Sequence, residues 1–98
     1  MNKIDILVNN AGYSVRSAVE EIDMNELKNM YEVNVFGMIN MMKCVIPILR
    51  DQGGGRIYNV GSISGRMTGL ANGGYCSTKY AVEAITEAAR YETREMEI

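Results

Sequence analysis

The chain contains no histidine. That absence removes Ser–His and Cys–His nucleophile systems and most catalytic zinc sites. Any proton carrier is therefore a tyrosine, a lysine or a carboxylate, and no metal site is expected. Cysteine is scarce: Cys44 and Cys76 stand 32 positions apart, in no Cys-x-x-Cys pattern. They suit reduced, partly buried thiols of a cytosolic protein better than a disulfide framework. A basic stripe is missing too, and with a net charge of −2 nothing suits the chain to nucleic-acid phosphates. The longest apolar run, Cys44 to Leu49, has six residues and contains Pro47, against the roughly 20 that span a bilayer. The opening Met-Asn-Lys-Ile-Asp lacks the charged-then-apolar order of a secretory signal. The expectation is a cytoplasmic chain without a membrane span.

Its 98 residues, 47% hydrophobic and 22% charged, suit one small globular domain over residues 1–98, with a core of limited size. Residues 4–8, Ile-Asp-Ile-Leu-Val, read as a strand stopped by Asn9-Asn10-Ala11-Gly12. Residues 13–22 form a polar connection. Asp23 with Glu26 three positions later has capping-box spacing, so a helix starts near Met24. Helical recurrence of Leu27, Met30, Tyr31, Val33, Met38, Met41, Met42, Val45, Ile46 and Leu49 carries it to about Asp51. Asn34, Gly37 and Pro47 are its weak spots. Gly53-Gly54-Gly55 runs from helix into strand, the reverse of a phosphate loop, and reads as a C-cap and turn. A second strand over 56–61 and a loop to Gly74 precede a second helix, with Ala81, Ala84, Ile85, Ala88 and Ala89 on one side. The order is strand, helix, strand, helix, which implies an α/β unit with a parallel strand pair and a right-handed crossover. Ligands on such sheets sit beyond the carboxyl ends of the strands. Asn10–Gly12 and Ser62 occupy those two ends.

The chemistry concentrates at Tyr75-Cys-Ser-Thr-Lys79, at the start of the second helix. Positions four apart share a helix face. An unperturbed phenol titrates near ~10 and is a poor base at neutral pH; an ammonium held beside it favours the phenolate. Ser62, thirteen positions earlier, supplies a hydroxyl that can bond the same reacting oxygen. Taken alone, a Tyr four residues before a Lys is an ordinary surface pair. Cys76 reads as a small packing residue and the eight methionines as adaptable core filler. Glu83, Glu87, Arg90, Glu92, Arg94, Glu95 and Glu97 read as a solvated helix face.

In order and spacing these motifs resemble the short-chain dehydrogenase/reductase family of classical type. Asn9-Asn10-Ala11-Gly12 looks like its segment after the fourth strand, and Asn34 in Asn-Val-Phe-Gly like the asparagine of its long helix. Gly55-Arg56-Ile57-Tyr58-Asn59-Val60-Gly61-Ser62 resembles its fifth strand ending in the catalytic serine, and Tyr75-x-x-x-Lys79 falls at the family distance from it. The resemblance covers essentially the whole chain. It implies part of a Rossmann-like doubly wound fold and an NAD- or NADP-dependent oxidoreductase interconverting a carbonyl and an alcohol. Tyr75 would be the general acid/base, Lys79 would favour its phenolate and hold the nicotinamide ribose, Ser62 would orient the substrate oxygen, and Asn34 would position a water. Asn10, Ala11 and Gly12, with Tyr75 and Lys79, would line the cofactor.

Other parts of the resembled pattern have no counterpart in these 98 residues. The Gly-x-x-x-Gly-x-Gly turn that holds the dinucleotide is absent, as are the residue that selects NAD or NADP and the Pro-Gly loop and lid. The expectation is the central catalytic piece of such an enzyme, with negligible turnover by itself. The alternative reading is a non-catalytic module that associates through its two long helices, as a homo-oligomer. A small carbonyl or secondary alcohol is the expected substrate class.

Overall fold

The computed structural model describes residues 3–61, 69 and 72–94. Strand β1 (Ile6–Asn9) and strand β2 (Arg56–Asn59) pair in parallel, with Ile6 opposite Arg56 and Asn9 opposite Asn59. β1 starts and ends later than the apolar run at 4–8 suggests. Pairing extends past both strands, since Arg56 N–H donates to the Asp5 carbonyl and Val60 N–H to the Asn9 carbonyl, each at 3.0 Å. A short 3₁₀ turn, Val19–Glu21, breaks the polar connection.

Between the strands runs one continuous helical rod, made of α1 (Met24–Tyr31), a π turn (Glu32–Phe36) and α2 (Gly37–Asp51). Asp23 caps it: its carboxylate accepts the N–H of Asn25 at 2.8 Å and of Glu26 at 3.4 Å, two of the donors a helix start leaves unsatisfied. The π turn contains one of the three weak spots, Asn34, and ends against a second, Gly37, whose N–H reaches back five residues to the Glu32 carbonyl. It also accounts for which residues face inward. Met30, Asn34, Met38 and Met42 are all buried, each four residues after the last. Steps of four overshoot one turn of an α-helix by about 40°, and the wider π turn takes up that drift. Val35 is thereby buried, while Val33 and Met41 of the expected stripe stay exposed.

The rod ends as the glycine run requires. Gly53 takes φ +94, and the N–H groups of Gly53 and Gly54 return to the carbonyls of Arg50 and Leu49, a C-cap. Gly55 then passes so close to fully buried Leu49 that a Cβ there would stand 2.6 Å from its Cδ2.

Helix α3 (Gly73–Thr93) packs against the rod. Val35, Met38, Met42 and Val82 form the buried centre, with Ile57 of β2 and Ala81, Ile85 and Ala89 of α3 packed around it. Both helical layers cover one face of the sheet. Leu7 and Ile57 point into it, while Ile6, Val8 and Tyr58 on the opposite face are more than half exposed. Alternation of this kind is what one covered and one open face produce. By length and composition Met24–Asp51 is apolar enough to cross a membrane, yet its buried stripe is the one that the strands and α3 cover.

Candidate active site

Two polar chains of hydrogen bonds fix the ends of the strands against α3. In the first, the Asn9 amide donates to Asn59 Oδ1 at 2.9 Å. Asn59 in turn donates to Thr86 Oγ1 at 2.9 Å, and Thr86 donates to the Val82 carbonyl at 2.7 Å. Three elements are joined where β1 and β2 end, so the segments that follow them leave from a fixed base.

The second chain lies deeper. Asn34 is 2% exposed; its Oδ1 accepts the Tyr13 N–H at 3.0 Å, and its amide donates to the Tyr13 carbonyl at 2.9 Å and to Thr78 Oγ1 at 3.1 Å. Thr78, with no exposed surface, donates to the Tyr75 carbonyl at 2.7 Å. Both amide protons of Asn34 are thus spent, and one lone pair of Oδ1 is left.

Lys79 is 9% exposed, and its Nζ stands 5.6 Å from the centre of the Tyr75 ring. Among the described residues no carboxylate pairs with it. A Cβ placed on Gly12 would lie 3.2 Å from Asn34 Oδ1 and 3.4 Å from Lys79 Nζ. The free backbone of Gly12 is therefore what both polar groups face. A cleft of about 360 Å³ opens here, with Asn9, Asn10, Ala11, Asn34, Val60 and Lys79 among its walls.

Of the residues expected from sequence, Asn10, Ala11, Gly12, Asn34 and Lys79 converge on this cleft, and Tyr75 joins them through its contact with Lys79. Ser62 lies outside the described residues. The strand leading to it is described up to Gly61, where a Cβ would meet Glu83 Oε1 at 3.0 Å. That contact corrects one reading. Glu83, one helical turn beyond Lys79, sits against the end of β2 rather than on a solvated face.

The model of the short chain dehydrogenase family matches residues 1–98. The chain belongs to the short-chain dehydrogenase family. It is 46% identical over 90 residues to an uncharacterized oxidoreductase of Schizosaccharomyces pombe, covering 92% of this chain and 38% of the relative. It is also 42% identical over 86 residues to the mitochondrial D-beta-hydroxybutyrate dehydrogenase of Bos taurus, covering 88% and 25%. Among solved structures it superposes with TM-score 0.94 and 32% identity on a short-chain dehydrogenase from Streptomyces avermitilis, over 98% of this chain and 36% of that one. A gluconate 5-dehydrogenase from Burkholderia cenocepacia, in complex with NADP and tartrate, matches with TM-score 0.96 and 28% identity over 99% and 38%. The chain therefore spans little more than a third of the length of these similar proteins, or less.

Tyr13, Thr78, Asn59 and Thr86 are the polar groups that sequence reasoning passed over. Thr78 and Thr86 had a weak signal, since a threonine within an Ala-rich helix is a poor helix former and invites the question of what its hydroxyl holds.

Proposed function

We propose that this chain carries the proton-transfer part of a nicotinamide-dependent interconversion of a carbonyl and an alcohol. Lys79 is the observation that carries the reading. Its ammonium is nearly buried, faces the Tyr75 ring and has no carboxylate partner among the described residues. Burial of an unpaired ammonium is costly, and a cation–π contact returns only ~0.5–2 kcal/mol. Its remaining donors suit a ligand rich in hydroxyls, such as a ribose.

The residues present fit that part of NAD or NADP. Gly12 leaves open a space that a methyl would fill, and Asn10 and Ala11 wall the same cleft. Bound there, the cofactor supplies the hydride; the NADP in the Burkholderia relative supports that choice of ligand.

The remaining work falls to the chain. The Tyr75 phenol gives its proton to the carbonyl oxygen during reduction and takes one from the alcohol during oxidation. Lys79, close by and shielded from water, stabilises the negative charge that develops on the phenol oxygen. Ser62 holds the reacting oxygen through its hydroxyl. Asn34, latched by Tyr13 and Thr78, offers its last lone pair to a water on the way from Lys79 to solvent. The same reading seats a second copy of the chain in the groove between α2 and α3, which Ile39, Ile46, Pro47 and Ile85 line. Sedimentation of the chain against an Ile46→Glu variant tests this, with dimers expected only for the first.

Transplantation tests the activity. Residues 1–98 replace the matching stretch of the Burkholderia enzyme, and nicotinamide-dependent turnover of gluconate is followed. A folded graft that turns over supports the reading, and a folded graft with no turnover at any cofactor concentration contradicts it.

A further inference from the structure

We infer that Thr78 is the positioning residue of this site: its hydroxyl couples the Asn34 latch to the backbone of Tyr75. The inference rests on the role proposed for Tyr75, but its geometry stands without it.

Thr78 is the residue on α3 whose side chain is both fully buried and hydrogen-bonded at either end. Its one proton goes to the Tyr75 carbonyl at 2.7 Å, one turn back. Its oxygen takes the second amide proton of Asn34 at 3.1 Å. The first goes to the Tyr13 carbonyl, and Tyr13 N–H returns to Asn34 Oδ1. The path from the segment after β1 to the first turn of α3 is therefore unbroken: Tyr13, Asn34, Thr78, Tyr75.

Three consequences follow from the chemistry of the groups. A buried amide proton left without an acceptor costs more than the bond it made, so loss of the Thr78 hydroxyl disturbs Asn34 and, through it, Tyr13. The first turn of a helix lacks the N–H partners of its interior, and α3 has no side-chain cap at Asn72. The Thr78 hydroxyl meets none of the free N–H groups there; what it adds is a tie from the start of α3 to Asn34 on the rod. Lys79 follows Thr78 directly, so one fixed residue sets the azimuth of both Tyr75 and Lys79 relative to Gly12. Valine has the shape of threonine without the hydroxyl, and serine keeps the hydroxyl without the methyl; the pair separates bonding from packing.

The experiment is amide hydrogen exchange and tyrosine-ring NMR on the 98-residue chain and its Thr78→Val, Thr78→Ser and Thr78→Ala variants. The expected result for Thr78→Val and Thr78→Ala is exchange at the Tyr13 amide faster by ~10-fold, the scale of one lost buried bond, with displaced Tyr75 ring signals. Exchange at the β1–β2 amides should be unchanged, and Thr78→Ser should match the wild type. The inference is overturned if Thr78→Val keeps the Tyr13 and Tyr75 signals of the wild type. It is equally overturned if Thr78→Ser behaves like Thr78→Val, if the sheet amides lose protection to the same degree, or if Thr78→Val and Thr78→Ala both fail to fold. None of these readouts uses turnover. A graft without activity therefore refutes the proposed function while leaving this coupling standing or fallen on its own evidence.

Discussion

The Lys79 ammonium nitrogen lies 5.6 Å from the centre of the Tyr75 ring, and the space beside it is kept open by the absence of a side chain on Gly12. Lysine suits the place because its ammonium is a compact charge on a flexible stem, whereas arginine carries a broad planar fork. In the graft, Lys79→Arg keeps the positive charge but cannot seat it in the same volume. The expected outcome is a rise in the KM for the nicotinamide cofactor and a fall in kcat, together ~10²-fold or more in kcat/KM. Steady-state kinetics over a range of cofactor concentrations check it.

Gly12→Ala places a methyl 3.2 Å from Asn34 Oδ1 and 3.4 Å from Lys79 Nζ, so one or both must move. Overpacking of this kind costs ~1–3 kcal/mol. Gly55→Ala meets Leu49 at 2.6 Å, at the other end of the strands, and should cost at least as much. Urea denaturation is expected to show both losses. Cofactor binding to the graft should weaken for Gly12→Ala alone, because only that methyl enters the cleft.

Asn59→Ala removes the acceptor of the Asn9 amide and the donor to Thr86. Two part-buried polar groups lose a partner, and ~1–3 kcal/mol of stability should go with them. Thr86→Val, which interrupts one bond of the chain and its return to Val82, should cost less. A double-mutant cycle read by denaturation is expected to give non-additive losses, since both substitutions break one network.

Much of this arrangement was legible in the residues, and the parts that were not share a cause. The Asp23 cap and the glycine run are signals written within a few positions, and the structure has them where the sequence puts them. The convergence of Asn10, Ala11, Gly12 and Lys79 followed from strand order and from where ligands sit on parallel sheets, whereas Asn34 entered through the family resemblance alone. The partners of Thr78 and Asn59 lie 44 and 50 positions away in Asn34 and Asn9, and Glu83 stands close to Gly61, 22 positions back. No local spacing records such a pair. The π turn is a related case: Asn34 and Gly37 marked a weak spot, but its conversion into an extra inward turn depends on the fit of Met30, Met38 and Met42 to the sheet and α3.

The phenol of Tyr75 is the group on which the account turns, and its removal is the direct test. In the graft on the Burkholderia enzyme, Tyr75→Phe deletes one oxygen and leaves the ring that Lys79 faces. Steady-state turnover should fall by ~10²–10⁴, with folding and cofactor affinity close to those of the unsubstituted graft. Turnover within a few-fold of the unsubstituted graft would contradict the account, because the proton would then be travelling by another route.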